Sequence, residues 1–310
     1  MTALICGSMA YDTIMVFHDQ FKNHILPEQV HILNVSFLVP DLRREFGGCA
    51  GNIGYNLKLL GGEPLIMATV GKDFGPYAQW LSYCGVSQDC IRVVDEAFTG
   101  QAYITTDMDD NQITAFHPGA MSFSHLNEVP ANRGIRLGIV APDGKEWMVQ
   151  HARQFAAAGI PFIFDPGQGM PMFNGEELLE FVDQASWITL NDYEAQLMQE
   201  RTGLTPERLA GKVEALIITK GSNGSLIYTD GQCLQIPPAS PKAVVDPTGC
   251  GDAYRAGLLF GLTEELDWAV TGRIASLLGA IKVETAGTQN HSFTLKEFKE
   301  RYRDNFGHEF

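Results

Sequence analysis

The sequence predicts an α/β protein with a mostly parallel central sheet flanked by helices on both faces. Three observations carry this expectation. Short β-branched runs recur along the chain, segments of 3.6-residue periodicity lie between them, and glycine or proline punctuates most junctions. Taken in order, Ala3-Leu4-Ile5-Cys6 reads as a strand that meets a turn at Gly7-Ser8. Ile53, Leu57 and Leu60 sit at i, i+4, i+7 of a helix that Gly61 stops at its C′ position. Leu65 to Val70, Gly138 to Ala141, Pro161 to Asp165, Trp187 to Leu190 and Leu216 to Lys220 are candidate buried strands. Ala253 to Leu262 reads as helical, and Leu266, Val270, Ile274, Leu277, Leu278 and Ile281 trace one stripe along a second long helix before Gly287.

Two stretches depart from this rhythm, about residues 13–45 and 95–118. Thr99 to Asp107 and Gln112 to Phe116 alternate with period two around Met108-Asp109-Asp110-Asn111, the pattern of a hairpin. The expectation is one domain over residues 1–310 with a small inserted β-sheet acting as a discontinuous lid, since no tandem repeat or long linker divides the chain.

Composition removes several functions. With 45% hydrophobic residues over 310 positions the chain can bury a full core. A formal charge of −15 makes nucleic acid and anionic membrane poor partners. No apolar run approaches the roughly 18–20 residues of a membrane span. Lys22 is the first basic residue, which argues against a secretory leader. The six cysteines form no C-x-x-C pair and the histidines no H-E-x-x-H, so neither a zinc site nor a disulfide framework is indicated. A reduced, cytoplasmic setting follows, with most thiols as small core residues.

The densest chemical signal is Asp246-Pro247-Thr248-Gly249-Cys250-Gly251-Asp252, placed just before a helix. Gly249 and Gly251 allow close backbone approach, and the first-turn N–H groups of the helix are unsatisfied donors that suit an anion. Asp252 would stand beside that anion, where a carboxylate can take a proton from an attacking hydroxyl; the plain alternative is an N-cap on a tight turn. A dinucleotide fingerprint fails because Tyr254 holds the third glycine place, and no Gly-Lys pair is followed by Ser or Thr as a P-loop requires. Phe46 to Gly54 is a second glycine cluster, whose Asn52 can accept and donate to a diol; its alternative is close helix-to-sheet packing.

An early Gly47-Gly48 with Asn52 four residues on, then Gly61, Val70-Gly71-Lys72-Asp73, Asn191-Asp192-Tyr193-Glu194, Thr219-Lys220-Gly221 and Asp246 to Asp252 follow one another in an order and spacing that resembles the ribokinase-like family of sugar and nucleoside kinases. The resemblance covers essentially the whole chain. It implies transfer of the γ-phosphoryl group of ATP to a hydroxymethyl group, with Asp252 as general base and the backbone of Gly249, Cys250 and Gly251 as anion hole. It places Asp12 on two sugar hydroxyls with Ser8 nearby, and Gly48 and Asn52 at the other sugar positions. On the ATP side it places Asn191, Thr219, Lys220, Gly221 and Gly224, with Glu194 in a water network around Mg²⁺. Asn191 and Glu194 also have the spacing of a helix capping box. A monovalent cation near Asp246 and Thr248, which some relatives hold, rests on the resemblance alone.

The run Asn111 to Met121 resembles the bacterial adenosine kinase branch of the family, which makes Phe116 the candidate that stacks on a purine. Large apolar groups at Ile14 to Phe17, Phe37 and Leu38 enrich the same region, either as base contacts, as the lid's own core or as a subunit interface. The expected reaction is adenosine to AMP, with ribose or fructose phosphorylation as the alternative and a non-catalytic nucleotide sensor as the alternative of a different class. The expected partner is a small molecule, and the expected assembly a monomer or homodimer. Two departures stand out. Asp165-Pro166-Gly167-Gln168-Gly169 replaces the Asn and Arg that many sugar kinases carry after the middle strand, and no Arg lies near Gln112. Mg²⁺, Lys220 and the helix dipole are then expected to neutralise the transferred phosphate.

Overall fold

A computed structural model of the chain describes residues 2–25, 34–109 and 111–310. The parts of the expected lid at residues 26–33, and Asp110 of the expected hairpin turn, lie outside the described residues. Strand β1 (Thr2–Cys6) enters the centre of the molecule, and β2 (Ala10–Val16) follows after three residues. Then come β3 (Asp41–Gly47), α1 (Cys49–Leu59), β4 (Glu63–Gly71), α2 (Gly75–Cys84), β5 (Ile91–Val94), β6 (Gly100–Thr106) and β7 (Gln112–His117). The middle of the chain supplies β8 (Ile135–Val140), α3 (Lys145–Ala158), β9 (Phe162–Phe164), α4 (Gly175–Gln184), β10 (Trp187–Asn191), α5 (Asp192–Thr202), α6 (Pro206–Ala210) and β11 (Ala215–Thr219). It closes with β12 (Ser225–Thr229), β13 (Gln232–Ile236), α7 (Cys250–Thr263), α8 (Trp268–Val283) and α9 (Leu295–Phe306).

Nine strands form one sheet in the order β13-β12-β11-β10-β9-β8-β1-β4-β5. From β11 to β5 every pairing is parallel, and only the β11–β12 and β12–β13 pairings are antiparallel. Alternate residues of each strand feed opposite layers, as the pleat requires. Ala3 and Ile5 pack with α1, α7 and α8, whereas Leu4 and Cys6 face α3, α4 and α5. Both faces are therefore covered, as the near-continuous apolar strands demanded. The chain runs outward from β1 to β5 on one side and resumes at β8 on the other, so the order reverses at β1, and ligands gather at the carboxyl ends beside such a point.

A second sheet has the order β3-β2-β6-β7 and is built from both stretches whose periodicity broke. The β6–β7 pair is the antiparallel hairpin that the alternation predicts. Of the six cysteines only Cys6 and Cys49 are buried and Cys233 is exposed, so the expectation that most thiols are core residues holds for those two alone. No helix among the described residues is long and apolar enough to cross a membrane.

Candidate active site

Four of the predicted site segments, and Asp165 beside them, meet at the carboxyl ends of the parallel strands. Ser8 follows β1, Asp165 follows β9, Asn191 ends β10, Thr219 ends β11, and α7 enters the same edge with its N-terminus. A cleft of about 410 Å³ there is lined by residues that include Cys49, Asp165, Asn191, Glu194, Thr219, Gly221, Gly251, Asp252 and Arg255. Gly249 is the N-cap of α7 at φ 79°, a left-handed value that glycine adopts without strain. Asp252 is the third residue of the helix and not its cap, which removes the plain alternative for this carboxylate. Farther along α7, Gly257 and Gly261 leave no room for a Cβ against Ala275 and Thr271, so α8 packs closely and fixes the direction in which α7 points.

The N–H of Cys250 turns back to the Pro247 carbonyl at 3.2 Å. Among the described residues those of Gly249, Gly251 and Asp252 donate to no protein acceptor. The candidate anion hole is thus carried by Gly249, Gly251 and Asp252, with Cys250 excluded in this conformation. Asp252 receives the Asn52 amide at 2.8 Å, and burial with the nearby Asp165 charge pushes its carboxyl up to about 6. The Asn52 carbonyl accepts from Gln289 at 3.0 Å, and Gln289 also donates to the Tyr77 hydroxyl at 2.7 Å. Asn52 therefore orients Asp252.

Asp12 lies in β2, and Gly47 of the paired β3 has no space for a Cβ because the Asp12 carboxylate fills it. Burial and the Glu45 and Asp246 charges push Asp12 up to about 6 as well. Gly48 sits at φ 85° with its Cα so close to the preceding turn that a Cβ would lie 2.6 Å from the Ser8 carbonyl. Its glycine identity is thus a packing requirement. The Ser8 hydroxyl accepts from the Cys49 N–H at 3.1 Å, so it caps α1.

On the other side of the cleft, Asn191 and Glu194 form the capping box that their spacing allows: the Asn191 side chain accepts from the Glu194 N–H at 2.7 Å, and the Glu194 carboxylate accepts from the Asn191 N–H at 2.7 Å. Thr219 donates to the Leu190 carbonyl at 3.4 Å. Gly221 lines the cleft, whereas Gly224 is buried against the Ile236 carbonyl, where a side chain cannot fit. Lys220 is exposed and lines no part of the cleft.

The cation that sequence reasoning missed is Arg255, one turn beyond Asp252. It is 5% exposed and grips Asp165 through two bonds of 3.1 and 3.0 Å, with Glu194 at 3.9 Å. Asp165-Pro166-Gly167, the departure after the middle strand, is the partner of this guanidinium. Arg255 lines the cleft where Lys220 does not, though Asp165, Asp192, Glu194 and Asp252 outnumber it there. A divalent counter-ion fits such an acidic, oxygen-rich wall. Among the described residues no three His, Cys, Asp or Glu side chains converge as a ligand set, so Mg²⁺ would be held chiefly by phosphate oxygens and water.

The sequence profile of the pfkB family of carbohydrate kinases matches residues 9–295. The chain belongs to that family. It is therefore an ATP-dependent kinase with a ribokinase-like fold. A nucleoside kinase of Methanocaldococcus jannaschii is 33% identical over 272 residues, 86% of this chain and 89% of the relative. The solved structure of a Burkholderia thailandensis nucleoside kinase in complex with inosine superposes with a TM-score of 0.90 at 49% identity, covering 99% of each chain. A ribokinase of Arabidopsis thaliana complexed with ribose and ATP shares the fold, with a TM-score of 0.77 at 18% identity over 97% of this chain and 98% of the other.

Proposed function

We propose that this kinase transfers the γ-phosphoryl group of ATP to the 5′-hydroxyl of a purine nucleoside, with adenosine to AMP as its reaction. The observation that carries the choice of a nucleoside is a row across the small sheet. Asp12 pairs with Ala102, and Ala102 pairs with Phe116, so the three side chains stand on one face. Two strand spacings, about 10 Å, separate the ends of the row, the span from a ribose diol to its base. Ala102 between them is small, and Phe116 is 54% exposed, which leaves its ring able to stack on a base. The relative from Burkholderia thailandensis, solved with inosine, supports a purine nucleoside. By contrast Phe17, Phe21 and Phe37 pack on one another with ring centroids 4.8–5.8 Å apart, so these rings serve the small sheet's own core.

In this reading the whole chain is one kinase unit and the small sheet is its lid. Asp12 accepts hydrogen bonds from the 2′- and 3′-hydroxyls, with Asn52 contributing its remaining amide proton. The Asp252 carboxylate takes the proton of the 5′-hydroxyl as that oxygen bonds to the γ-phosphorus and the bond to ADP breaks. The free N–H groups at the start of α7 hold the charge that grows on the transferring group. A bound Mg²⁺ would supply counter-charge to the phosphates, and Glu194, in the cleft wall, would help to hold it through water.

ADP release with ATP and a panel of adenosine, inosine, ribose and fructose tests the reading. Nucleosides are expected to support turnover and free sugars not. Turnover on ribose or fructose alone makes the protein a sugar kinase, and ATP binding without ADP release makes it a sensor. Replacing the base, Asp252→Asn, is expected to lower turnover roughly 10²- to 10⁴-fold while nucleoside affinity is retained. A variant with full turnover removes Asp252 from the role.

A further inference from the structure

Behind the candidate anion hole lies a charge that the reaction scheme has not used. Lys282, in the last turn of α8, is 0% exposed. Its ammonium donates to two main-chain carbonyls, Asp246 at 2.8 Å and Thr285 at 3.2 Å, and to no carboxylate among the described residues. Taking an ammonium out of water is costly unless its surroundings compensate, so a lysine held this way needs a reason. The loop around it supplies one. The Val245 and Asp246 N–H groups bind the Val283 carbonyl at 2.8 and 3.1 Å, and the Asp246 carboxylate accepts from Thr248 at 2.9 Å and from Gly287 at 2.9 Å. Every polar group of Asp246 is thereby engaged, and the ammonium ties the loop that carries Gly249 to the end of α8.

Main-chain carbonyls beside a carboxylate are the oxygens that a monovalent cation takes, and here a covalently attached cation already sits on them. The residues present therefore do not fit the monovalent ion that the family resemblance suggested near Asp246 and Thr248. We propose that Lys282 is this kinase's built-in monovalent cation, a positioning residue that holds the Asp246–Gly249 loop and the α7 N-terminus in their working geometry without K⁺ or Na⁺. The proposal rests on the reading of α7 as the anion hole.

Turnover and thermal midpoint, measured with tetramethylammonium as the sole monovalent cation and then with K⁺ or Na⁺ added at equal ionic strength, test it. The unmodified protein is expected to be indifferent to the exchange in both readouts. Lys282→Met, which keeps the length of the side chain without its charge, is expected to lose at least about tenfold in kcat with nucleoside affinity unchanged. K⁺ or NH₄⁺ should restore part of that loss and raise the variant's thermal midpoint. Activation of the unmodified protein by K⁺, or a Lys282→Met variant with full kcat, overturns the proposal. If the variant does not fold, the indifference of the unmodified protein still decides. Absence of ADP release in every buffer defeats the kinase reading itself, and the thermal readout still answers the cation question.

Discussion

Asp252 and Asp12 are both raised to about 6, chiefly by burial, so each loses its proton only as the pH rises past that value. A base must be unprotonated to accept a proton, and a carboxylate holds two hydroxyls better than a carboxyl does. Turnover is therefore expected to fall steeply below about pH 6, and a pH profile of kcat/KM with no acid limb between about 5 and 7 would count against both assignments. Stability responds with the opposite sign. A carboxyl whose folded pKa is raised costs nothing below its unfolded value near 4, and the cost grows until the pH passes about 6. Asp252→Asn removes up to about 3 kcal/mol of that cost at neutral pH, so the inactive variant is expected to melt higher than the parent. At this scale Asp252 was legible because its motif is contiguous. Arg255 was not, since its partner Asp165 lies 90 residues away. Gly47 stood in a cluster open either to a ligand or to close packing, and only the β2–β3 register shows that the Asp12 carboxylate occupies its missing side chain.

Among the elements, the small sheet is tied to the large one by Asp73, the acid of Val70-Gly71-Lys72-Asp73. Its carboxylate accepts from the Thr99 N–H at 2.7 Å and the Gln101 amide at 2.9 Å, and its carbonyl accepts from the Tyr11 hydroxyl at 3.0 Å. One face of the sheet is thus docked, while Phe116, on the opposite face with Asp12, is 54% exposed. Phe116→Ala is expected to raise the KM for adenosine by about 1–3 kcal/mol of lost stacking, roughly 5- to 150-fold, with kcat little changed. An unaltered KM would return Phe116 to the role of an edge residue of β7. Strands and helices were largely readable from periodicity, and the helix of Ile53, Leu57 and Leu60 ends at Leu59 with Gly61 at φ 86°. The Asp230-Gly231 turn between β12 and β13, both residues at positive φ, was a hairpin signal open to reading but passed over. Phe17 and Phe37 stayed open between base contact and lid core, because an aromatic ring in a sequence does not say whether a ligand or another ring covers it.

Over the whole molecule the charge of −15 and the acidic cleft oppose the approach of ATP. Added salt screens repulsion as well as attraction, so kcat/KM for ATP is expected to rise a few-fold between low and physiological ionic strength at constant free Mg²⁺. The value for the neutral nucleoside should stay flat. A fall with salt would show that positive potential around the cleft outweighs the net charge.

The hydrogen bond between Asn52 and Asp252 joins positions 200 residues apart, and Gln289 closes the network from farther still. While the ribosome is still making the last third of this chain, α1 and the central strands exist but Asp252 and the loop that leads into α7 do not. An unfinished copy therefore has no means of splitting ATP. On the proposed roles of Asp252 and the α7 N-terminus, activity is expected to begin only when the final helices have been synthesised and have docked, so a product truncated before α7 should show no ADP release.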